Sequence, residues 1–355
     1  MAIDRIFRHI IITGICSIVF ASGCGPQGEK PVTTPTQPKK QTPEAVKAAP
    51  RPAEEPGVKI ELRPAANAQA DYKVTTQVRR TVKWEGPVPE KPAFEESSNE
   101  DKVEMVFNQR VQSLDPSGRI IEQIMIEQLK YFSTVKNQTI MDFDSTRQSD
   151  ANSPLAKLIM QIYSIVVEPN DYIASISAAW MIAKLMDANT VADRAGRHLL
   201  SPEAITDRHA TLLLPRADEA RLEPGGRWSR VKTFSFGRMG IKSYEKIYTL
   251  REIRDVAGHK IAIIDMNAIP SSEIEEKYRN QQANAEFPQR FDTNETYTGS
   301  GEIDLTAGFI NNYHENFRTS WIAALPSSPA LTEDVNEPVV LRLTAERTYD
   351  LEKVK

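Results

Sequence analysis

DYKVTTQVRRTVKW, residues 71–84, alternates apolar and polar side chains at a period of two. Tyr72, Val74, Val78, Val82 and Trp84 fall on one face; Asp71, Lys73, Gln77, Arg79 and Lys83 fall on the other. A strand of this kind buries one side and wets the other, the signature of an antiparallel sheet. Lys102 to Leu114 repeats the pattern with Val103, Met105, Phe107 and Val111 inward, and Asp115-Pro-Ser-Gly118 follows as a tight turn. Arg119–Phe132 fits two readings. Ile121, Met125 and Leu129 suit a helix, whereas the turn before them and the isoleucines suit a hairpin partner, and strand is the reading adopted.

Further along, Ser153-Pro154 has the form of a helix start, with Leu155, Leu158, Ile159, Ile162 and Val166 as one apolar stripe ended by Glu168-Pro169-Asn170. Tyr172–Met186 is apolar on both faces and fits a buried strand pair or a buried helix. Ser201-Pro202 predicts a second helix running to Leu214, stopped by Pro215. After Pro224-Gly-Gly226 come expected strands at Arg227–Phe236, Ser243–Arg254, His259–Ile269, Gly301–Leu305, Phe309–Phe317 and Val339–Tyr349. Ser271–Thr298 reads as a polar insertion with a short helix around Glu273–Ala283. Val111–Leu129 and Leu250–Ile269 share the order strand, Asp-led turn with glycine, apolar strand; two related β halves, 70–200 and 201–350, would explain this, as would the general likeness of hairpins.

The N-terminal residues read differently. Arg5 and Arg8 precede the apolar run Ile10–Phe20, 11 residues long and short for a membrane span. Ala21-Ser22-Gly23-Cys24 then closes residues 1–23 as a signal peptide. This stretch resembles the bacterial lipobox, which implies a diacylglyceryl thioether on Cys24 and an acylated amine; two or more chains anchor stably where one does so marginally. Gly25, not aspartate, follows, which by analogy with lipoprotein sorting implies the outer membrane, facing the periplasm. Residues 24–57 form a linker, and 25–56 carry eight prolines; at ~3.1 Å per residue such a chain reaches roughly 100 Å. Residues 58–355 are then the globular domain. Removing 1–23 moves the net charge from −4 to −5, which offers no basic footprint for nucleic acid. With Cys16 in the signal and Cys24 lipidated, the folded part has no thiol for catalysis, disulfides or zinc.

Four histidines remain, His198, His209, His259 and His314, in no metal-binding spacing, and lone surface positions account for them. His209 has Asp207 nearby and His314 has Glu315. Asp142-Phe-Asp144 reads as a strand cap in preference to a metal-holding DxD, and Gly299-Ser-Gly301 lacks the lysine of a phosphate loop. There is no Gly-x-Ser-x-Gly elbow. Asn137-Gln-Thr139 and Asn294-Glu-Thr296 match a glycosylation pattern without evident bearing on a bacterial protein. Trp84, Trp180, Trp228 and Trp321 read as core residues.

The lipobox, the proline-rich tail, Tyr-x-Val-x-Thr at the first strand, Leu214-Pro215 before Gly226-Arg-Trp228, Tyr248-Thr-Leu250 and Gly299–Leu305 together resemble a group of uncharacterised bacterial lipoproteins. In architecture these are similar to the lipoprotein carriers LolA and LolB, a curved antiparallel sheet closed by helices. The resemblance implies an α+β, mostly antiparallel β fold, a curved sheet or half-barrel with a few packed helices, and a habit of holding apolar ligands; it implies no catalytic residue. The expectation is therefore a non-catalytic envelope lipoprotein, without cofactor or metal, binding a hydrophobic ligand or an envelope partner on its sheet. A scaffold or adaptor is the alternative, and an envelope hydrolase a third reading.

Overall fold

The 71–84 pattern forms the middle of the sheet. In the computed structural model, which describes residues 57–86, 94–169, 172–184, 190–211, 213–215, 221–276, 278–279, 291–325 and 339–354, strand β1 (Gln69–Glu85) pairs with β2 (Ser97–Leu114) on one side and β12 (Val339–Lys353) on the other. The signal, Cys24 and nearly all of the linker fall outside the described residues. From β1 the chain moves outward through β2, β3 (Ile120–Val135), β5 (Ile162–Val167) and β6 (Ile173–Ser177), with β4 (Gln138–Asp144) pairing the far half of β3. Helices α1 (Ala179–Lys184), α2 (Val191–Leu199) and α3 (Pro202–His209) follow. The chain then returns through β7 (Arg227–Ser235), β8 (Ile241–Val256), β9 (His259–Ser271), β10 (Asp292–Asp304) and β11 (Phe309–Leu325) to β12. Among the described residues all twelve strands join one antiparallel sheet, ordered β6-β5-β3-β2-β1-β12-β11-β10-β9-β8-β7. This is an up-and-down meander sealed between β1 and β12 and left open between β6 and β7, where the helices intervene.

Side chains alternate as expected on β1 and β2, and β12 alternates in the same way. Tyr72, Val74, Met105, Phe107, Tyr349 and Leu351 are buried on the inner face of the curved sheet, and Tyr72 stacks on Phe107 at 5.6 Å. At about 25 cal/mol per Å² of apolar surface, each such side chain contributes roughly 1.5–3 kcal/mol. Of Arg119–Phe132 all but Arg119 lies on β3, so the strand reading holds, with Ile120, Ile124, Ile126 and Leu129 buried.

Several expectations are corrected. The helix expected from Ser153-Pro154 starts as read, with the Ser153 side chain accepting from the Leu155 N–H, but it is a 3₁₀ turn that ends at Leu158. Met160 takes φ 60°, its N–H bonds the Ile126 carbonyl of β3, and the chain leaves as β5. There Tyr163, Ile165 and Val167 face inward, while Ile162, assigned to the helical stripe, is exposed. Tyr172–Met186 is neither a strand pair nor one helix. Ile173–Ser177 forms the edge strand β6, Ala179–Lys184 forms α1, and 185–186 lie outside the described residues. The second helix stops at His209, five residues short of Leu214, because the chain there is drawn across the sheet. Strand β10 begins at Asp292, inside the expected polar insertion; of the short helix expected around Glu273–Ala283, residues 277 and 280–283 lie outside the described set and Glu273–Glu275 are not helical. Strand β4 and helix α2 were not expected.

Glycine is required on geometry at position 308. Gly308 in the β10–β11 turn has φ +74°, and a Cβ there would come within 2.4 Å of the Arg63 carbonyl carbon. Gly308→Ala is expected to lower stability by at least about 2 kcal/mol, read as a fall in thermal midpoint.

Candidate functional site: the occupied inner face

The inner face is where a ligand would be held, and the chain's own segment fills it. Helix α2 opens with a capping box: Thr190 accepts from the Asp193 N–H, and the Asp193 carboxylate accepts from the Thr190 N–H at 3.0 Å. Helix α3 opens on Ser201 with Pro202 in its first turn. Beyond His209 the backbone is no longer helical and its carbonyls need partners. Sheet side chains supply them. Tyr349 OH donates to the Arg208 carbonyl at 2.6 Å, Lys246 Nζ to Thr211 at 3.4 Å, Trp228 Nε1 to Leu213 at 3.1 Å and Arg230 Nε to Leu214 at 3.1 Å. The Asp207 carboxylate lies between Lys232 Nζ at 2.7 Å and Arg347 Nη1 at 3.3 Å. Leu213 presses so closely on β10 that a Cβ at Gly301 would stand 2.8 Å from its Cδ2. Strands β7, β8, β10 and β12 thus grip one segment, 207–215.

Beneath it runs a buried ionic layer. Lys246 is 1 % exposed and ion-pairs with Glu315. Its Nζ also donates to Tyr313 OH at 2.8 Å, Tyr313 OH in turn donates to Glu315, and Tyr297 OH donates to the other Glu315 oxygen at 2.8 Å. Burial pulls the Lys246 ammonium below its ordinary pKa, opposed by Glu315. Burial would raise Glu315, but the Lys246 charge and the hydrogen bonds from Lys246, Tyr313 and Tyr297 outweigh it, so Glu315 stays ionised. Toward the other end of the face, Lys242 pairs with Glu295, which also accepts from Tyr244 OH at 2.8 Å; burial lowers Lys242 to about 8. Past this layer lies a second apolar cluster of Trp84, Trp321, Leu341, Leu343 and Ala345.

Sequence reasoning missed this layer, although it left a signal. Lys246, Glu315 and Arg347 each sit in the inward phase of an otherwise alternating strand, between Tyr244 and Tyr248, Tyr313 and Phe317, and Ala345 and Tyr349.

The histidines distribute unevenly. His209 is half-buried and is not a lone surface residue. It packs edge-on against Phe107 at 5.1 Å and bonds Tyr163 OH at 2.5 Å. Burial and the neighbouring Arg208 hold it well below its ordinary pKa, so it is neutral. Asp207 turns to Lys232 and Arg347 and is not its partner. His314 pairs across strands with Asp350, not with Glu315, which faces the opposite side of the sheet. His259 pairs with Asp304 at 2.7 Å, and His198 is exposed. None of the four hydrogen-bonds a serine or threonine hydroxyl among the described residues.

Asp142 and Asp144 organise a local turn. Asp142 pairs with Arg147, and Asp144 accepts from the Thr146 side chain and backbone and pairs with Lys130, which together lower its pKa to about 2. Among the described residues no cluster of three acidic, His or Cys groups has metal-binding geometry. Gly299-Ser-Gly301 lies within β10. Trp84, Trp228 and Trp321 are core residues, whereas Trp180, expected there, is 44 % exposed on the short helix α1. Next to His209 and Arg208 the inner face leaves a cavity of about 40 Å³, lined also by Tyr72, Gln109 and Glu122.

No protein-family model and no curated protein matches this chain. Among solved structures it is similar, at 7 % identity and a TM-score of 0.16, to the crystal structure of an outer membrane channel from Pseudomonas putida F1, over 82 % of this chain and 97 % of that one. A likeness at that score carries no argument about fold or role.

Proposed function

We propose that this chain is a lipid-anchored, non-catalytic envelope protein that works by binding a partner through the polar outer face of its sheet. The observation that carries the reading is the occupied inner face. Ligand pockets run to ~300–1,000 Å³, and the inner cavity measures about 40 Å³. An apolar ligand of the kind the LolA and LolB resemblance implies would have to displace segment 207–215 from its six polar contacts.

The outer face, by contrast, is polar and accessible. Lys102 pairs with Glu104 at 2.6 Å, Arg342 with Glu85 at 2.8 Å and Arg318 with Glu346 at 3.4 Å. Between these pairs run Gln77, Thr348, Asn316 and Thr298, neighbours across four strands. A lipid-facing barrel needs an apolar outer band, so this face belongs in water. The two six-strand runs, β1–β6 and β7–β12, move across the sheet in the same sense, and the similar hairpins β2–β3 and β8–β9 hold the same place in each. That supports an α+β half-barrel of two related halves.

Two measurements test the reading. Cys24→Ala should move the protein from the membrane pellet to the soluble fraction with its fold unchanged; persistent pelleting after high-salt washing overturns the anchor. A photo-crosslinker at Asn316 or Thr348 should capture a discrete neighbour in intact cells. Recovery of stoichiometric lipid from the purified protein, with no crosslinked neighbour, would return the function to apolar ligand carriage.

A further inference from the structure

The geometry points to a second, unassigned site on the outer face: a cleft across β8–β11 that takes a neutral, hydroxyl-rich ligand of the carbohydrate class. The cleft measures about 380 Å³. Its floor is Ile261 and Ile263 of β9, which face outward yet are only 8 % and 4 % exposed. Two β-bulges flank that floor at the same level of the sheet. Pairing slips between Leu250 and Glu252 opposite Ile264 and Ile263, making Arg251 the extra residue of β8. It slips again between Glu302 and Ile303 opposite Asn312 and Ile310, making Asn311 the extra residue of β11. Bulges bend a strand and re-aim its side chains, and they gather at functional sites. Here one of them turns Asn311 into the cleft.

The polar groups around the floor are prepared for hydroxyls. Asp304 spends one oxygen on the Thr306 and Ala307 N–H groups and the other on His259 Nδ1, which fixes the imidazole with Nε2 left to the cleft. The side chains of Glu302 and Asn311 line the cleft and have no hydrogen-bond partner among the described residues. Arg254 stands opposite, paired to Glu252, so the lining carries more carboxylate than cation and disfavours an anion. Donors and acceptors alternate around an aliphatic floor, and the side chains of Glu302 and Asn311 are unspent. That arrangement suits a ring bearing hydroxyls at its edge and C–H groups on its face, and a small cation is the competing occupant that putrescine tests. The floor is isoleucine and not aromatic, so affinity should be low, with Kd on the order of 1 mM.

The test is titration of the full-length protein, followed by protein-observed NMR, with cellotetraose, maltotetraose and N-acetylchitotetraose up to about 10 mM, and with putrescine as a charged comparator. Saturable binding of at least one tetrasaccharide is expected, weakened about tenfold or more by Glu302→Ala and by Asn311→Ala. Both residues lie outside the apolar core, and unchanged circular dichroism and melting confirm folding of the variants. Absence of saturable tetrasaccharide binding overturns the inference, as does binding that neither variant weakens or tighter binding of putrescine.

Discussion

Lys246→Met should destabilise the fold by about 3–5 kcal/mol, because it leaves Glu315 ionised and buried without its cation. Lys246 is 1 % exposed, and its partners are Glu315, Tyr313 and the Thr211 carbonyl. Removing the ammonium strands the carboxylate among Tyr297 and Tyr313, whose hydroxyls cannot neutralise it. It also releases one of the carbonyls by which the sheet grips segment 207–215. Replacing both charges, as Lys246→Met with Glu315→Leu, removes the orphaned ion as well as its partner, so the double variant should lose less than the sum of the two singles. Urea unfolding of the four proteins reads this directly as shifts in midpoint at constant slope, and the coupling follows from the cycle. A midpoint for Lys246→Met within error of the parent would mean that water reaches the pair and that the layer is not a buried one.

The sheet was legible where one face is wet and the other dry, because period-two alternation then carries the whole signal; β1 and β2 read correctly down to their inward residues. It failed where the inner face itself is charged. In β10 the inward positions are Glu295, Tyr297, Gly299 and Gly301, so a carboxylate and two glycines stand among them, and Asp292–Thr298 read as the end of a polar insertion. Glycine is needed there because Leu213 occupies the space over Gly301. The 153–167 stretch failed for another reason. Its Leu, Ile and Val residues satisfy a helical spacing as well as an alternating one, and a distant contact decides between them: the backbone of Ile126 captures residues 160–161 and starts a strand. The filling of the inner face was equally beyond local reading. Segment 210–215 has no periodicity of its own and is shaped by Lys246, Trp228 and Arg230, all more than ten residues away in sequence. Cys24 stands apart, since its reading rests on a short motif that lies outside the described residues.

Acidification should loosen this grip before it titrates the structural carboxylates, and His209 is the reason. Its ring lies against Phe107 and Tyr163, with Arg208 beside it, so both burial and a like charge disfavour the imidazolium. In the unfolded chain the same imidazole titrates near 6.5. Between that value and its depressed folded-state value the unfolded state binds one more proton than the folded state. Stability therefore rises with pH through this window and falls as pH drops below about 6.5, at up to roughly 1.4 kcal/mol per pH unit. The carboxylates held low in the fold act further down. Asp144, at about 2 through its bonds from Thr146 and Lys130, and Glu104, lowered by Lys102, stabilise the fold above about pH 4 and lose that contribution only as pH falls below it. The interval from about pH 5 to 6.5 is therefore where the buried imidazole shows its effect. His209→Gln keeps a group that can bond Tyr163 OH but takes up no proton. Its unfolding free energy, measured by urea titration at steps across that interval, should be nearly flat where the parent declines. An equally steep decline in the variant would remove His209 as the cause. Because His209 ends α3 and leads directly into the segment that fills the sheet, protonation there should first free residues 207–215, read as faster amide exchange in that segment than in β1 and β12 at pH 5.5.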